Sequence, residues 1–441
     1  MKKPEEKILQ FGTGNFLRAF IDDFLQRMND GGLYDGGAAI VSPTDSKTVE
    51  TLTAQDCRYH LLLRGMENGQ PVESLREIRC VTRAINPYRD FDAFLSLAAQ
   101  PALRFIVSNT TEAGIVFDPT ARFDDRPPAA FPAKLTRFLY ERFIRGLPGF
   151  VLLPCELIDE NGTKLAECVQ RTAALWKLPA AFSEWLREEN DFCNTLVDRI
   201  VSGRPKDGAA LSLAPEDALL DAAEPFCLWA IAGNYENELP LQKAGINAVW
   251  TKDVSPYKKI KVRILNGLHT SMVFPGLLAG LETVDECMRD PELAPFLEKT
   301  LRDSILPALK GGKAAEDFAD AVRARFSNPY LHHRLASISL NSFSKFRVRV
   351  LPTVTDLMNG GAAPPKTAAL SLACLVARYR ADPPTDEAAA TEAIRTHGAA
   401  ALLRGTALTE KQQKELLAVA EEADRRLARD GIREALQWSI S

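Results

Sequence analysis

The spacing of hydrophobic positions changes near the middle of the chain. Before about residue 250, short apolar runs such as A-A-I-V-S (38–42) and L-R-F-I-V-S-N-T (103–110) alternate with amphipathic stretches. Strands that alternate with helices predict βαβ units and a mainly parallel sheet. Two runs that flank M-E-N-G-Q, namely Y-H-L-L-L-R-G and I-R-C-V-T-R-A-I, predict an antiparallel hairpin. From about residue 255 onward the apolar spacing is that of helices.

This pattern predicts an α/β protein of two domains. Residues 1–250 are expected to form a Rossmann-like, doubly wound sheet domain, and residues 251–441 a mostly α-helical domain. A length of 441 residues fits two domains, and 46% hydrophobic with 25% charged residues is typical of globular proteins.

Charge and composition exclude several classes of function. The net charge is −4 without long basic blocks, which argues against binding to nucleic acid. The N-terminus lacks the apolar core of a signal peptide, and no apolar stretch is long enough to span a bilayer. We therefore expect a cytoplasmic protein without a membrane partner, either a monomer or a small homo-oligomer. None of the eight cysteines forms C-x-x-C or a zinc-ligand spacing with histidine, so we expect buried free thiols and no metal.

A glycine-rich segment follows the first predicted strand. In I-L-Q-F-G-T-G-N-F-L-R-A-F, Gly12 and Gly14 stand between that strand and a predicted helix. Glycines there allow a tight turn and the close approach of a pyrophosphate to the helix start. The third glycine of G-x-G-x-x-G is replaced by Leu17, so the motif alone fits a plain βα turn equally well. Arg18 could add a cation for a phosphate or make a surface ion pair.

Polar residues follow two other predicted strands. Asp45 comes after the second strand, where a carboxylate could bind the adenosine ribose and favour NAD over NADP. It could equally cap a helix that begins near Ser46, and Lys47 leaves room for NADP. Ser108 to Thr111 end a further strand at the carboxyl edge, where such sheets bind ligands.

The run K-V-R-I-L-N-G-L-H-T (261–270) places an amine, an amide and an imidazole in an apolar helical pattern. If residues 258–272 are α-helical, Asn266 lies about 140° and His269 about 80° around the axis from Lys261, over roughly 12 Å. Lysine could exchange the proton of an alcohol without a metal, while the other two stabilise the oxygen. From spacing alone, a solvent-facing lysine, a packing asparagine and a core histidine are the more common explanation.

Four segments carry a family resemblance: F-G-x-G-N-F-x-R-A-F near the N-terminus, S-N-T-T-E-A-G (108–114), V-D-R-I (197–200) and K-x-x-x-x-N-G-x-H (261–269). With them the chain resembles the long-chain mannitol dehydrogenase family of polyol and sugar-acid oxidoreductases over nearly its whole length. The resemblance implies that Lys261 is the general acid/base and that Asn266 and His269 orient and polarise the reacting oxygen. It also implies that Asn15 and Phe16 lie on the cofactor loop.

Within the family, runs such as R-F-D-D-R-P and R-F-S-N-P-Y resemble the sugar-acid branch. Polyol-oxidising relatives carry C-D-N where this chain has C-E-L (155–157), so the resemblance implies reduction of a keto-uronic acid rather than oxidation of mannitol. N-S-F-S-K resembles a substrate-contact segment and implies roles for Asn341 and Lys345. Two alternatives remain: a related uronate or polyol as substrate, and a dinucleotide-binding redox sensor without turnover.

A sugar-acid substrate needs a cation for its carboxylate. Lys345, Arg347 and Arg349 stand at alternating positions, and Lys258 and Lys259 precede Lys261, although such charges are often solvated. Asp198 and Arg199 could contact substrate hydroxyls or form an ion pair between the domains. The predicted cofactor is NAD, and the predicted cofactor-binding residues are Phe11, Gly12, Thr13, Gly14, Asn15, Phe16, Arg18, Asp45, Ser108, Asn109 and Thr110.

Overall fold

The computed structural model describes residues 3–67, 69–110 and 113–441. The chain divides into two compact units, of which unit 1 comprises Met1–Arg64 and Val72–Val254. Unit 2 comprises Gly65–Pro71 and Ser255–Ser441. Asn68 in the predicted hairpin turn and the predicted strand-end residue Thr111 lie outside the described residues.

The strands lie in the first part of the chain, as the alternating pattern predicts. They are β1 (Glu6–Phe11), β2 (Gly37–Val41), β3 (Tyr59–Glu67), β4 (Gln70–Ile78), β5 (Val81–Ile85), β6 (Phe105–Ser108), β7 (Val151–Pro154), β8 (Asp191–Phe192), β9 (Thr195–Asp198), β10 (Val201–Gly203), β11 (Asp221–Ala223), β12 (Leu228–Ala232) and β13 (Ala248–Thr251).

Six parallel strands form the main sheet of unit 1 in the order β5-β2-β1-β6-β7-β8. Successive residues of β1 enter two separate cores, because Ile8 belongs to one hydrophobic cluster and Leu9 to the other. A sheet buried on both faces explains why its strands read as continuous apolar runs. The predicted doubly wound parallel sheet is confirmed, and its carboxyl edge is where this class of fold binds ligands.

Two smaller sheets have the strand orders β10-β11-β3-β4 and β13-β12-β9. The second run of the predicted hairpin, I-R-C-V-T-R-A-I, is not one strand. It contains the end of β4 at Ile78 and then β5, which begins at Val81 and pairs in parallel with β2 in the main sheet. The run is divided between β4 and β5 because the two strands belong to different sheets: β4 lies in a four-stranded sheet, and β5 is the edge strand of the main sheet.

The helices of unit 1 are α1 (Asn15–Arg18), α2 (Ile21–Asp30), α3 (Thr48–Ala54), α4 (Phe91–Ser96), α5 (Phe131–Ile144), α6 (Asn161–Leu175), α7 (Ala180–Glu188) and α8 (Gly208–Ser212). The amphipathic run after the glycine loop is therefore broken into α1 and α2. Side chains take the carbonyls that would continue the helix: the Tyr59 hydroxyl donates to Arg18 O, 3.0 Å away, and the Arg199 guanidinium donates to Ala19 O, 2.7 Å away.

The Ser255–Ser441 part of unit 2 is helical, as predicted. Its helices are α9 (Ser255–Lys261), α10 (Gly267–Leu278), α11 (Val284–Arg289), α12 (Leu293–Lys299), α13 (Leu306–Leu309), α14 (Gly312–Phe326), α15 (Leu335–Ile338), α16 (Ser342–Arg349), α17 (Leu351–Asn359), α18 (Lys366–Ala381), α19 (Ala388–His397), α20 (Ala400–Leu403), α21 (Glu410–Asp430) and α22 (Ile432–Ile440). Two π-helical turns, Val262–Asn266 and Thr300–Ile305, join α9 to α10 and α12 to α13. Helix α10 is buried on all sides over Gly267–Gly276 and forms the centre of the unit.

All eight cysteines are buried free thiols, as the sequence predicts. Burial is the main cause that raises the pKa of each thiol above its ordinary value. Among the helices that the structure describes, none combines the length and the apolar character needed to cross a membrane.

Candidate active site

Gly12 shapes the loop between β1 and α1. Its φ is +140°, and a Cβ atom there would lie 2.9 Å from both the Asn109 carbonyl oxygen and the Leu17 Cδ1. The Gly12 N–H donates to Val41 O, 3.0 Å away, which ties the loop to the end of β2. Glycine is therefore required here by the backbone conformation and by the neighbouring strand end.

The space in front of Gly14 is open. Gly14 is exposed and precedes α1 with φ −72°, and a Cβ atom on it would meet no atom within 4 Å. The chain's own packing does not require glycine at this position, but close approach of a pyrophosphate to the backbone would. Thr13 is buried and Asn15 exposed on either side, so this loop fits a nicotinamide dinucleotide.

The side chains around α1 are held by the protein. Arg18 is buried and donates to Leu219 O at 2.7 Å and to Asn15 Oδ1 at 2.6 Å. The surface ion pair considered for Arg18 is wrong, since the guanidinium lies inside unit 1, 3.6 Å from the buried Asp221 carboxylate. Phe16 is half-buried and stacks on Phe20 with ring centroids 4.9 Å apart. Phe11 is fully buried in the sheet.

Asp45 lies beyond the end of β2 and faces an arginine. Its carboxylate accepts a hydrogen bond from Asn86 Nδ2 at 2.8 Å and lies 3.3 Å from Arg89 Nη2. The helix-cap alternative for Asp45 is wrong because α3 begins only at Thr48 and Asp45 caps none of its N–H groups. Arg89 is far away in sequence and is brought here because β2 and β5 are neighbours in the sheet.

Ser108, Asn109 and Thr110 lie at the carboxyl end of β6. They surround Glu156, a buried carboxylate that the sequence does not single out as a site residue. Ser108 Oγ donates to it at 3.0 Å, and the Thr110 N–H and hydroxyl donate at 3.0 and 2.9 Å. Asn109 Nδ2 donates to the adjacent Cys155 carbonyl at 2.8 Å. Burial raises the pKa of Glu156 although these hydrogen bonds oppose the shift.

Asp198 and Arg199 are both buried in unit 1. Arg199 pairs with Asp23 at 2.8 Å and also donates to Ala19 O and Glu224 O. The guanidinium of Arg199 is therefore bound by protein groups, which favours an ion pair over contact with substrate hydroxyls. The pair that Arg199 makes with Asp23 lies within unit 1.

In unit 2, Lys261 and Asn266 are joined by a π turn. Lys261 ends α9, the next five residues are π-helical, and the Gly267 N–H donates to Val262 O, five residues earlier. The predicted uninterrupted α-helix and its angles are therefore wrong. Hydrogen bonds to the fifth residue widen the turn, so the angle around the axis between Lys261 and Asn266 is smaller than in an α-helix. His269 follows three residues later on the same side of α10.

His269 is buried beside other rings. Its ring centroid lies 4.4 Å from that of Phe326 and 5.2 Å from that of His333. Burial holds the pKa of His269 well below its ordinary value, and the charges of nearby cations, including Lys345, lower it further. The imidazole is therefore neutral near pH 7 and can donate one hydrogen bond.

The segment S-K-F-R-V-R-V is largely helical, so its three cations do not share one face as they would at alternating positions of a strand. Helix α16 covers it, so Lys345 and Arg349, four residues apart, share a face that Arg347 does not. Lys345 Nζ donates to Ile338 O at 3.0 Å, whereas Arg347 donates to Arg404 O at 2.7 Å. Asn341 is exposed, has φ +53° and begins the helix.

No metal centre is visible among the described residues, where no group of three or more histidine, cysteine, aspartate or glutamate side chains could hold an ion.

Comparison with known proteins extends these findings. Residues 6–243 match the family model of the mannitol dehydrogenase Rossmann domain, and residues 253–434 match that of the mannitol dehydrogenase C-terminal domain. Relatives named altronate oxidoreductase from Yersinia enterocolitica and Klebsiella pneumoniae are each 46% identical over 86% of this chain and 80% of their own length.

Two solved structures share the fold. A D-sorbitol dehydrogenase in substrate-free form has a TM-score of 0.85 at 23% identity, covering 98% of this chain and 95% of its own. The ternary complex of Pseudomonas fluorescens mannitol 2-dehydrogenase with NAD and D-mannitol has a TM-score of 0.72 at 22% identity, covering 99% and 94%.

Proposed function

Since the chain belongs to the mannitol dehydrogenase family, and is an oxidoreductase acting on CH–OH groups, we propose that it interconverts D-altronate and its ketone D-tagaturonate with NAD. The observation that carries this proposal is the 46% identity, over 86% of the chain, to relatives named altronate oxidoreductase. We place the reaction in the cytoplasm and assign it to the chain without a metal.

The glycine loop of unit 1 supports a nicotinamide dinucleotide as cofactor. Gly12 makes the tight turn that links β1 to α1, and the open space at Gly14 leaves room for a pyrophosphate. When bound, NAD accepts a hydride from the alcohol carbon or returns it to the ketone. The Asp45 carboxylate would accept hydrogen bonds from the adenosine ribose and repel a 2′-phosphate, so we propose NAD rather than NADP.

The π turn of unit 2 supports lysine as the proton-transfer group. During oxidation, Lys261 Nζ takes the proton of the substrate hydroxyl, and during reduction it gives that proton back. The Asn266 amide and the neutral His269 imidazole donate hydrogen bonds to the same oxygen, where negative charge develops as the C–H bond breaks. The π turn between Lys261 and Asn266 supports this assignment, because it reduces the angle around the helix axis that separates them.

The charge around His269 supports a sugar acid rather than a neutral polyol. Lys345 is close enough to His269 for its charge to lower the pKa of that imidazole. In unit 1, Leu157 is 60% exposed beside Glu156, where polyol-oxidising relatives carry an amide that contacts the substrate oxygen.

Initial rates of NADH oxidation with D-tagaturonate, D-fructuronate and D-fructose, measured side by side, test this function. We expect tagaturonate to give the highest kcat/KM. Preference for fructuronate would assign the chain to mannonate formation, and preference for fructose would assign it to the polyol enzymes. Tight NADH binding without turnover of any of the three would support a redox sensor instead.

A further inference from the structure

Arg349 is a half-buried cation without a partner in the part of the chain that the structure describes. It ends α16, and its guanidinium makes no hydrogen bond or ion pair with the described residues. Burial alone lowers the pKa of Arg349, without an opposing contribution from a described carboxylate. Arginines removed from water are normally paired, because an unpaired buried charge costs several kcal/mol.

This cation lies beside the proposed catalytic helix. A Cβ atom on Gly267 would lie 3.4 Å from the Arg349 carbonyl oxygen, so the start of α10 and the end of α16 are in direct contact. His269 is two residues further along α10, and the charge of Arg349 contributes to its lowered pKa. Arg349 therefore lies next to the start of α10, the helix that carries His269.

The surroundings of His269 are cationic. Burial is the main cause that lowers the pKa of His269, and the positive charges of Arg325, Arg349 and Lys345 lower it further. His333 is also the ring that packs at 5.2 Å, and Arg325 precedes Phe326, whose ring packs at 4.4 Å. Cations collected around one neutral imidazole favour the binding of an anion.

We propose that Arg349 binds the carboxylate of the sugar acid and thereby distinguishes it from a neutral polyol. The inference rests on the proposed function, since it names the group that holds the charged end of that substrate. A planar guanidinium can hold a carboxylate through two parallel hydrogen bonds, which a lysine amine cannot. Lys345 on the same face already donates to Ile338 O, whereas Arg349 keeps its donors for a ligand.

The test compares Arg349→Gln with Arg347→Gln. Arg347 lies two residues earlier on α16 but donates to Arg404 O, so its loss should leave the KM for D-altronate unchanged. Loss of a bidentate, charge-assisted contact should raise that KM about 10-fold to 100-fold in Arg349→Gln. Arg349→Lys should recover part of the loss, and KM for the corresponding uncharged alditol should not change.

Thermal unfolding separates ligand binding from a structural role. Without substrate, Arg349→Gln should melt at the same temperature as the unmodified protein or higher, because it removes an unpaired, half-buried charge. D-altronate should raise the melting temperature of the unmodified protein but hardly that of the variant. A lower melting temperature together with an unchanged KM would show that Arg349 only packs.

The outcomes for the function and for Arg349 are distinguishable. If the unmodified protein turns over D-altronate and Arg349→Gln keeps the same KM, the inference is overturned while the proposed function stands. If the unmodified protein turns over only neutral polyols, the proposed function fails. Calorimetric titration with D-altronate then still decides the inference: binding that Arg349→Gln weakens supports it, and the absence of binding overturns it.

Discussion

Lys261 and Asn266 are linked by a single π turn, which brings them closer to one side of the helix axis than an α-helix would. Such turns frequently interrupt helices at functional sites. Here the turn lies between Lys261, the proposed proton-transfer group, and the buried helix α10, which carries His269.

Replacement of Lys261 by alanine should lower kcat by about a hundredfold or more, the usual effect of losing a general acid/base. NADH binding, followed by fluorescence titration, should persist because the glycine loop does not include this side chain. Lys259→Ala, at an exposed position of the same helix, is the matched control and should retain turnover. Near-normal turnover in Lys261→Ala would mean that the amine is only a surface charge. His269→Ala should be milder, since Asn266 still donates to the oxygen.

Gly14→Ala should weaken NADH binding by about tenfold or more while leaving the melting temperature unchanged. The added Cβ meets no protein atom within 4 Å but occupies space that a pyrophosphate would need. Gly12→Ala is the contrasting variant, because its φ of +140° and the Asn109 carbonyl at 2.9 Å should reduce stability by about 1–3 kcal/mol. Unchanged NADH affinity in Gly14→Ala would place the dinucleotide elsewhere.

NADH should be preferred over NADPH, and Asp45→Ala should narrow the ratio of kcat/KM values by about tenfold, the size of one charge-assisted hydrogen bond. Removal of the carboxylate would also release Arg89, which lies 3.3 Å from it and could then pair with a 2′-phosphate. The double variant Asp45→Ala/Arg89→Ala should therefore use NADPH less well than Asp45→Ala alone. Equal use of both cofactors by the unmodified protein would contradict the role of Asp45.

Prolonged treatment with EDTA should leave turnover unchanged, because proton transfer is assigned to Lys261 and the described residues contain no metal-ligand cluster. Activity is to be compared before dialysis, after dialysis, and after addition of zinc or manganese. If EDTA abolishes turnover and added zinc or manganese restores it, the lysine mechanism is wrong.

Adjacent carboxylates in α2 should respond in opposite ways to neutralisation. Burial raises the pKa of Asp22 from 3.8 to about 7, so the folded chain keeps a proton that the unfolded chain loses. Stability from this group is complete below about pH 4 and is lost as the pH rises through about 7. Asp22→Asn should therefore raise the free energy of unfolding at pH 8 by about 2–4 kcal/mol and flatten its pH dependence.

Asp23→Asn is the control for that measurement. Asp23 is paired with the buried Arg199 and the half-buried Arg76, so the change leaves both cations without their carboxylate and should lower stability by about 3–5 kcal/mol. Denaturant unfolding at pH 5 and pH 8 measures both variants. A destabilised Asp22→Asn at pH 8 would contradict the raised pKa.

Much of the fold follows from local pattern. The main-sheet strands are apolar on both faces and helical spacing dominates after residue 255, so both units can be predicted from the chain. Short runs are ambiguous, however. S-K-F-R-V-R-V fits a period of 2 as well as a helix, and only packing decides that Lys345 aligns with Arg349.

Parts of the site depend on structure that no local pattern encodes. The π turn after Lys261 differs from an α-helix by one hydrogen-bond register, and its residue types are those of any buried helix. Arg89 lies beside Asp45 because β5 pairs with β2, and this strand order cannot be predicted from local sequence. Glu156 collects Ser108 and Thr110 because β6 and β7 end side by side.

Because all eight thiols are buried, their rates of chemical modification report local unfolding of the chain. A thiolate is the form that reacts with alkylating reagents, and in the folded chain burial suppresses it at every cysteine. Alkylation of each cysteine therefore requires local unfolding of the segment that covers its sulfur. Mass spectrometry of the alkylated peptides would then read local opening separately in the sheet, through Cys155, and in the helices, through Cys374.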